Sequence, residues 1–331
     1  TKGEDYLRIT TTVGKKTDRN GLFTPALIDL DGNGTADRAY AGDLKGRMWA
    51  FDLSSSDQTK WAVAHKNKKP LIKVKKDQPI TTQPEVIRHP TVDDESGSAP
   101  NLMVLFGTGQ FLRTADNTLQ KRQSYYGVWD RGFEEGNLRR DDLMKQKFLV
   151  NDDSRRMRVL DPTIHPDYEA LEGGDRQYGW YIDLPGTGER VNALPLVRGS
   201  ELHFNTIIPE ASICATGGGT GWEMAVDTNN GGSPTKAVFD FNEDGVILAL
   251  DDTYTVTKGA DVTVVGYAGR KVAADKGMPS GPSIIGDMRF TPSVTTEGGE
   301  ILTTQLDEES EYLKNFGEGG RYSWQHITRP Q

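Results

Sequence analysis

The chain has 331 residues, 39 basic against 48 acidic side chains and a net charge of -9. That balance argues against a nucleic-acid binder, and 35% hydrophobic with 26% charged residues argues against wholesale disorder. No stretch reaches the 18 consecutive apolar residues of a membrane-spanning helix.

The chain opens Thr1-Lys2-Gly3, without an initiator Met or a charged-then-apolar leader, and reads as an internal start. Leu27-Ile28 is a short apolar segment, and Asp29-Leu30-Asp31-Gly32-Asn33-Gly34-Thr35-Ala36-Asp37 follows it. Calcium takes six to eight oxygen ligands, mostly carboxylates and carbonyls. This loop offers Asp29, Asp31 and Asp37 at positions 1, 3 and 9, Asn33 at position 5, and the carbonyl of Thr35 at position 7. Gly34 at position 6 permits the sharp turn. Tyr40 stands where an EF-hand has its bidentate Glu, and the flanking segments read as strands. An EF-hand-like calcium loop inside a β-hairpin is expected. A simple Asp-Gly turn would not require four oxygen side chains at odd spacing.

Ala41-Gly42-Asp43-Leu44-Lys45-Gly46 then precedes Met48-Trp49-Ala50-Phe51-Asp52, a glycine turn leading into an aromatic strand that ends on Asp. Residues 54–100 read as an insertion-like excursion. They hold six lysines between His65 and Lys76, followed by Asp93-Asp94-Glu95. The lysines suit either an anionic surface or a strand edge guarded against aggregation. Leu102-Met103-Val104-Leu105-Phe106 and Trp180-Tyr181-Ile182-Asp183-Leu184 are strand-like. Residues 141–150 and 308–316 could each form one short helix. The single cysteine, Cys214, is either a buried thiol or the partner of a segment elsewhere.

Gly218-Gly219-Thr220-Gly221 before Trp222-Glu223-Met224-Ala225-Val226-Asp227 repeats the glycine-then-aromatic-strand pattern. A second acidic loop starts at Asp240. Asp240, Asn242 and Asp244 occupy positions 1, 3 and 5, Gly245 position 6, and Asp251 position 12 with Asp252 beside it. Leu248 at position 9 cannot bind metal. The spacing is similar to that of dockerin loops, and an acidic surface turn is the alternative. Val262-Thr263-Val264-Val265 is a further strand. Short β-rich segments separated by Gly, Pro, Asn and Asp, with degenerate hairpins, predict an all-β fold, and a β-propeller over a two-sheet sandwich.

No catalytic arrangement emerges. The five histidines form no His-Glu-x-x-His or other close pair. There is no Gly-x-Ser-x-Gly elbow and no phosphate loop ending in Gly-Lys-Ser/Thr. Gly107-Thr108-Gly109-Gln110 leads into Phe111-Leu112 rather than a helix. Enzymatic activity is not expected.

The run from Leu27 to Leu53 resembles the C-terminal propeller of the PilC/PilY family, the tip-associated adhesins and biogenesis factors of type IV pili. Further family-like blocks follow in the same order. They are Leu105-Phe106-Gly107-Thr108-Gly109-Gln110-Phe111-Leu112, Tyr125-Tyr126-Gly127-Val128-Trp129-Asp130, Gly179-Trp180-Tyr181-Ile182-Asp183-Leu184, Gly188-Glu189-Arg190-Val191, Phe204-Asn205-Thr206-Ile207-Ile208-Pro209 leading to Cys214, and Gly320-Arg321-Tyr322-Ser323-Trp324. The resemblance implies one PilY-type modified β-propeller domain over residues 1–331, with upstream blades outside the chain and Ca2+ held in one blade by Asp29, Asp31, Asn33, Thr35 and Asp37. It also implies a place at the bacterial surface or pilus tip, as a secreted or outer-membrane-associated factor. The partners would be minor pilins and a host or abiotic surface ligand, and the role would be to balance pilus extension against retraction. The Arg-Gly-Asp tripeptide of some members does not occur, so integrin binding is not expected. Two other readings stay open, an extracellular calcium propeller acting as a general binding module and a quinone-dependent dehydrogenase propeller.

Overall fold

The structure is a computed structural model. It describes residues 7–92, 100–132, 136–169, 176–210 and 218–305, apart from 243, 245, 250, 274, 286–287 and 296–297. Cys214, Glu243, Gly245, the acidic patch 93–95, the possible helix 308–316 and the block 320–324 lie outside the described residues.

The run Leu102–Gly107 shows why the chain builds stacked sheets. Side chains alternate across a strand, yet every residue of this strand is buried. Leu102, Val104 and Phe106 enter one core cluster, and Met103 and Leu105 enter another. An unbroken apolar run is what a strand covered on both faces requires.

Three sheets stack in this way. The first has the order Ala26–Ile28, Arg38–Gly42, Arg47–Asp52 and Ala62–Val63, with Ile72–Lys73 also on Arg47–Asp52, all antiparallel. The second runs Glu85–Arg88, Leu102–Gly107, Ser124–Asp130, Gly179–Asp183 and Met144–Lys145, the last pair parallel. The third runs Phe148–Asp152, Met157–Leu160, Gly269–Lys271, Gly219–Asp227, Glu201–Pro209 and Leu196–Arg198. Tyr40, Met48, Ile72, Val104 and Tyr126 fill the space between the first and second sheets. Tyr125, Trp180, Phe204, Trp222 and Met224 fill that between the second and third. The hairpin of Thr253–Lys258 with Asp261–Gly266 packs Val256 and Val265 beside Phe239 on the far side of the third. Met288–Thr295 lies between Ser283–Ile285 and Gly298–Gln305 in a last small sheet.

The second and third sheets exchange chain. After Met144–Lys145 the backbone crosses to build Phe148–Asp152 and Met157–Leu160 of the third sheet, then returns as Gly179–Asp183 of the second.

The structure corrects two local expectations. Residues 141–150 form no α-helix, only a 3-10 turn at Arg140–Asp142 before Met144–Lys145 and Phe148–Asp152. The Asp142 carboxylate accepts the Arg139 N–H at 2.7 Å and closes that turn early. The later residues then find sheet partners, with Lys145 opposite Tyr181. In the second glycine motif, Gly219 and Gly221 lie within the strand Gly219–Asp227 and not in a turn before it. Residues 54–100 supply Ala62–Val63 and Ile72–Lys73 to the first sheet and Glu85–Arg88 to the second. Leu71, Ile72 and Ile80 are fully buried on the way. Among the described residues there is no α-helix, and no helix is long and apolar enough to cross a membrane.

Candidate metal centre

The first acidic loop connects Ala26–Ile28 to Arg38–Gly42. The two strands pair from Ile28 opposite Arg38, so the loop's ends are fixed by the ladder. The Asp37 N–H donates to Ile28 O at 2.8 Å. Within the loop, Asp29 accepts the N–H groups of Gly32 and Gly34, one on each carboxylate oxygen, both at 2.7 Å. Asp37 Oδ2 accepts the Leu30 N–H at 2.7 Å. Asp31 Oδ1 and Oδ2 accept the backbone and side-chain N–H groups of Asn33 at 3.1 and 2.8 Å. Asn33 Oδ1 accepts the Thr35 N–H at 2.8 Å and also the Thr35 hydroxyl. Gly34 has φ +86°, the left-handed conformation in which other residues are strained.

The result is convergence. One carboxylate oxygen each from Asp29, Asp31 and Asp37 lies within 4.8 Å of the others. Asp37 is 8% exposed at the floor, Asp29 half-buried, and Asp31 exposed at the rim. The basic residue next to the loop, Arg38, turns away. It pairs with the buried Asp130 of the second sheet at 2.9 Å, and the Tyr40 hydroxyl donates to the same oxygen at 2.7 Å. Burial alone would raise the Asp130 carboxyl, but Arg38 and Tyr40 outweigh it and hold it below the usual carboxylate range. The three loop carboxylates are therefore left without a cationic side chain among the described residues. This donor set of hard oxygens with spare lone pairs fits a Ca2+-sized cation, with Asn33 and the Thr35 carbonyl as further donors.

The second acidic loop is built differently. Asn242 Nδ2 donates to Asp244 and to Asp251, both at 2.9 Å, so its amide nitrogen occupies the space between the carboxylates. Asp244 accepts the Val246 N–H at 2.9 Å. Asp240, Asp244 and Asp251 form no three-carboxylate cluster among the described residues. The residue that closes this loop is Asp252. It is fully buried, and its two oxygens accept the N–H groups of Phe241 and Leu248 at 2.6 and 2.9 Å. Sequence reasoning placed Asp252 beside the site and missed this role. Its signal was the apolar Phe241 and Leu248 flanking the acidic positions.

A second residue the sequence hid is Asp43, fully buried beneath the glycine turn. It accepts N–H bonds from Lys45, Arg47, the Trp49 indole and the Asn20 amide at 2.7 to 2.9 Å. Asp43 thereby ties the turn to the Trp49 strand.

Stacked antiparallel sheets, with an acidic loop in the first hairpin, define an all-β protein of the propeller class. Residues 5–154 match the family model of the PilY1 beta-propeller domain. The chain is 27% identical over 330 residues to a type IV pilus biogenesis factor PilY1 homolog of Xylella fastidiosa, covering 93% of this chain and 21% of that protein. It is 29% identical over 346 residues to the type IV pilus biogenesis factor PilY1 of Pseudomonas aeruginosa PAO1, covering 93% and 27%. The crystal structure of the Pseudomonas aeruginosa PilY1 C-terminal domain superposes with a TM-score of 0.64 at 25% identity, over 89% of this chain and 63% of that one. Residues 5–154 are thus similar to the PilY1 beta-propeller domain, and the chain is similar to these PilY1 proteins over 93% of its length. It spans between a fifth and about a quarter of the length of those curated relatives.

Proposed function

We propose that this chain is the propeller portion of a type IV pilus biogenesis factor acting at the cell surface or pilus tip, and that its first acidic loop binds Ca2+. The observation that carries the metal reading is the convergence of Asp29, Asp31 and Asp37 within 4.8 Å. The relatives named as pilus biogenesis factors carry the biological reading. Without a cation the three carboxylates repel one another, and the hairpin between Ile28 and Arg38 loosens. With Ca2+ the repulsion is removed and the hairpin tightens. Arg38 begins the second strand of that hairpin and is bound to Asp130, so the change reaches the second sheet. A ligand shifts such an equilibrium only by its differential affinity for the two states. Contacts with minor pilins or with a surface ligand, and through them extension against retraction, would then depend on calcium concentration.

Asp31→Ala is the discriminating change. Asp31 is exposed and bonds only Asn33, so its loss removes a ligand without opening the fold. Calorimetry should show calcium binding weakened at least tenfold, about 1.4 kcal/mol, with an unchanged melting profile in chelator. Unaltered affinity would sink the metal assignment. In a strain whose only copy carries Asp31→Ala, surface pili or twitching should change. If both match the parent while calcium binding is lost, the ion is a structural staple and not a regulator.

A further inference from the structure

A second candidate site lies far from the acidic loop in sequence, where the end of the second sheet meets the turns of the third. It is a cleft of about 700 Å³, within the usual size of small-molecule sites. One wall is Pro90-Thr91, just beyond Glu85–Arg88, and the other is the turn that follows Gly219–Asp227.

That turn is fastened from beneath. The Trp180 indole donates to Thr228 O at 3.0 Å, the Tyr168 hydroxyl to Asn229 O at 2.7 Å, and the Gln146 amide to Asn230 O at 3.0 Å. With its carbonyls held by the second sheet and by residues beside it, the turn cannot relax toward the cleft. It presents an unusual set of unspent groups. Asp227 Oδ1 accepts the Asn229 and Asn230 N–H groups, while its Oδ2 has no partner among the described residues. Burial holds the Asp227 carboxyl above the usual carboxylate range despite those two N–H bonds. Asn229 Oδ1 accepts the Thr91 hydroxyl at 3.1 Å, and neither Asn229 Nδ2 nor His165 Nε2 has a hydrogen-bond partner among the described residues. Glu201 stands directly opposite Asp227 in the ladder. Like charges so placed weaken a sheet; here the turn N–H groups offset Asp227, and His203 Nε2 lies 3.5 Å from Glu201.

A cation would answer Asp227 and Glu201 but not the amide donor of Asn229. Hydroxyl groups both donate and accept, and so match a wall that mixes carboxylate, amide, imidazole and hydroxyl groups with the ammonium of Lys236. Pro90 and Pro162 add small apolar faces for C–H surfaces. A preformed wall also spares the ordering cost of binding. We infer that this cleft is a binding site for a neutral polyhydroxylated ligand, a short saccharide, with Asp227 and Asn229 as its principal hydrogen-bonding residues.

The test exposes the 331-residue chain to an array of neutral di- and trisaccharides built from glucose, galactose, mannose and N-acetylglucosamine, followed by calorimetry with the best probe. Binding should persist in chelator, which separates this site from the calcium loop. It should weaken at least tenfold in Asp227→Asn, which keeps the Oδ1 acceptor and turns the free oxygen into a donor. It should be lost in Thr235→Trp, which fills the cleft from an exposed position and leaves the melting profile unchanged. Absence of binding to every probe at millimolar concentration overturns the inference. So does binding equal to the parent in both variants, or Asp227-dependent binding of a lysine-containing peptide in place of the sugars.

Discussion

The two acidic loops share the spacing of oxygen side chains at positions 1, 3 and 5 followed by glycine, and they fold to different ends. In the first, Gly32 and Gly34 donate their N–H groups to Asp29, and the chain wraps so that three carboxylates face one point. In the second, position 3 is an asparagine whose amide nitrogen bridges Asp244 and Asp251, which satisfies the carboxylates internally. The difference also lies in where the buried aspartate falls. Asp37 is both the floor of the first cluster and the acceptor for Leu30. Asp252 closes the second loop alone, one residue beyond the position a metal would use. In the first loop the structural acceptor and the converging carboxylates are the same groups. In the second they separate.

The sharpest way to break this contrast is Asp252→Ala. It strands two backbone N–H groups in the interior, and should cost about 2–4 kcal/mol while leaving calcium binding at the first loop intact. Thermal melts alongside calorimetry check both halves, and a calcium defect in this variant would show that the loops are not independent. Asp37→Ala is the mixed case. It should cost about 1–3 kcal/mol in chelator through the stranded Leu30 N–H and also abolish calcium binding. If either loss appears alone, the double role is wrong.

Acid provides a control of similar size. Burial among Trp129 and Tyr168 pushes the His89 imidazole down to about 4. Its folded value lies below the unfolded one, so its contribution is full above about pH 6.5 and is lost as pH falls toward 4. Between pH 7 and pH 5 that amounts to about 2 kcal/mol. His89→Phe should flatten this part of the stability curve, separating acid weakening of the sheets from protonation of the loops. If the slope is unchanged in the variant, His89 is not its source. The smallest effect is expected for Asp244→Ala, on an exposed turn. It should shift stability by less than about 0.5 kcal/mol and leave one calcium bound per chain. A drop in stoichiometry would restore the second loop as a metal site.

The first loop was legible because its chemistry is local, with every candidate ligand inside nine consecutive residues. The strand segments were legible because Leu102–Gly107 is apolar at every step. The family-like blocks were legible as text, but their physical sense is tertiary. A Cβ on Gly127 would meet the Trp180 ring at 2.5 Å, and one on Gly107 would meet Val191 at 2.4 Å. Glu189 holds Arg158, buried with it, at 2.6 Å, and that guanidinium lies 3.7 Å from the Trp222 ring centroid. These contacts join residues 31 to 84 positions apart, and no local pattern announces such pairing. Asp43 and Asp130 were invisible for the same reason, since a buried acid looks like a surface one until its partners are known. The lysines between residues 65 and 76 hid the strand Ile72–Lys73, because the apolar Leu71 and Ile72 are few beside them.

The crossing of the backbone between the second and third sheets bears on inheritance. The matched region 5–154 ends after Phe148–Asp152 has joined the third sheet and before Gly179–Asp183 has completed the second. A gene cut at that point would encode Ser124–Asp130 with its edge unpaired on the Gly179–Asp183 side, and a first strand of the third sheet with nothing to join. Unpaired strand edges invite aggregation. The second and third sheets are therefore complete only together.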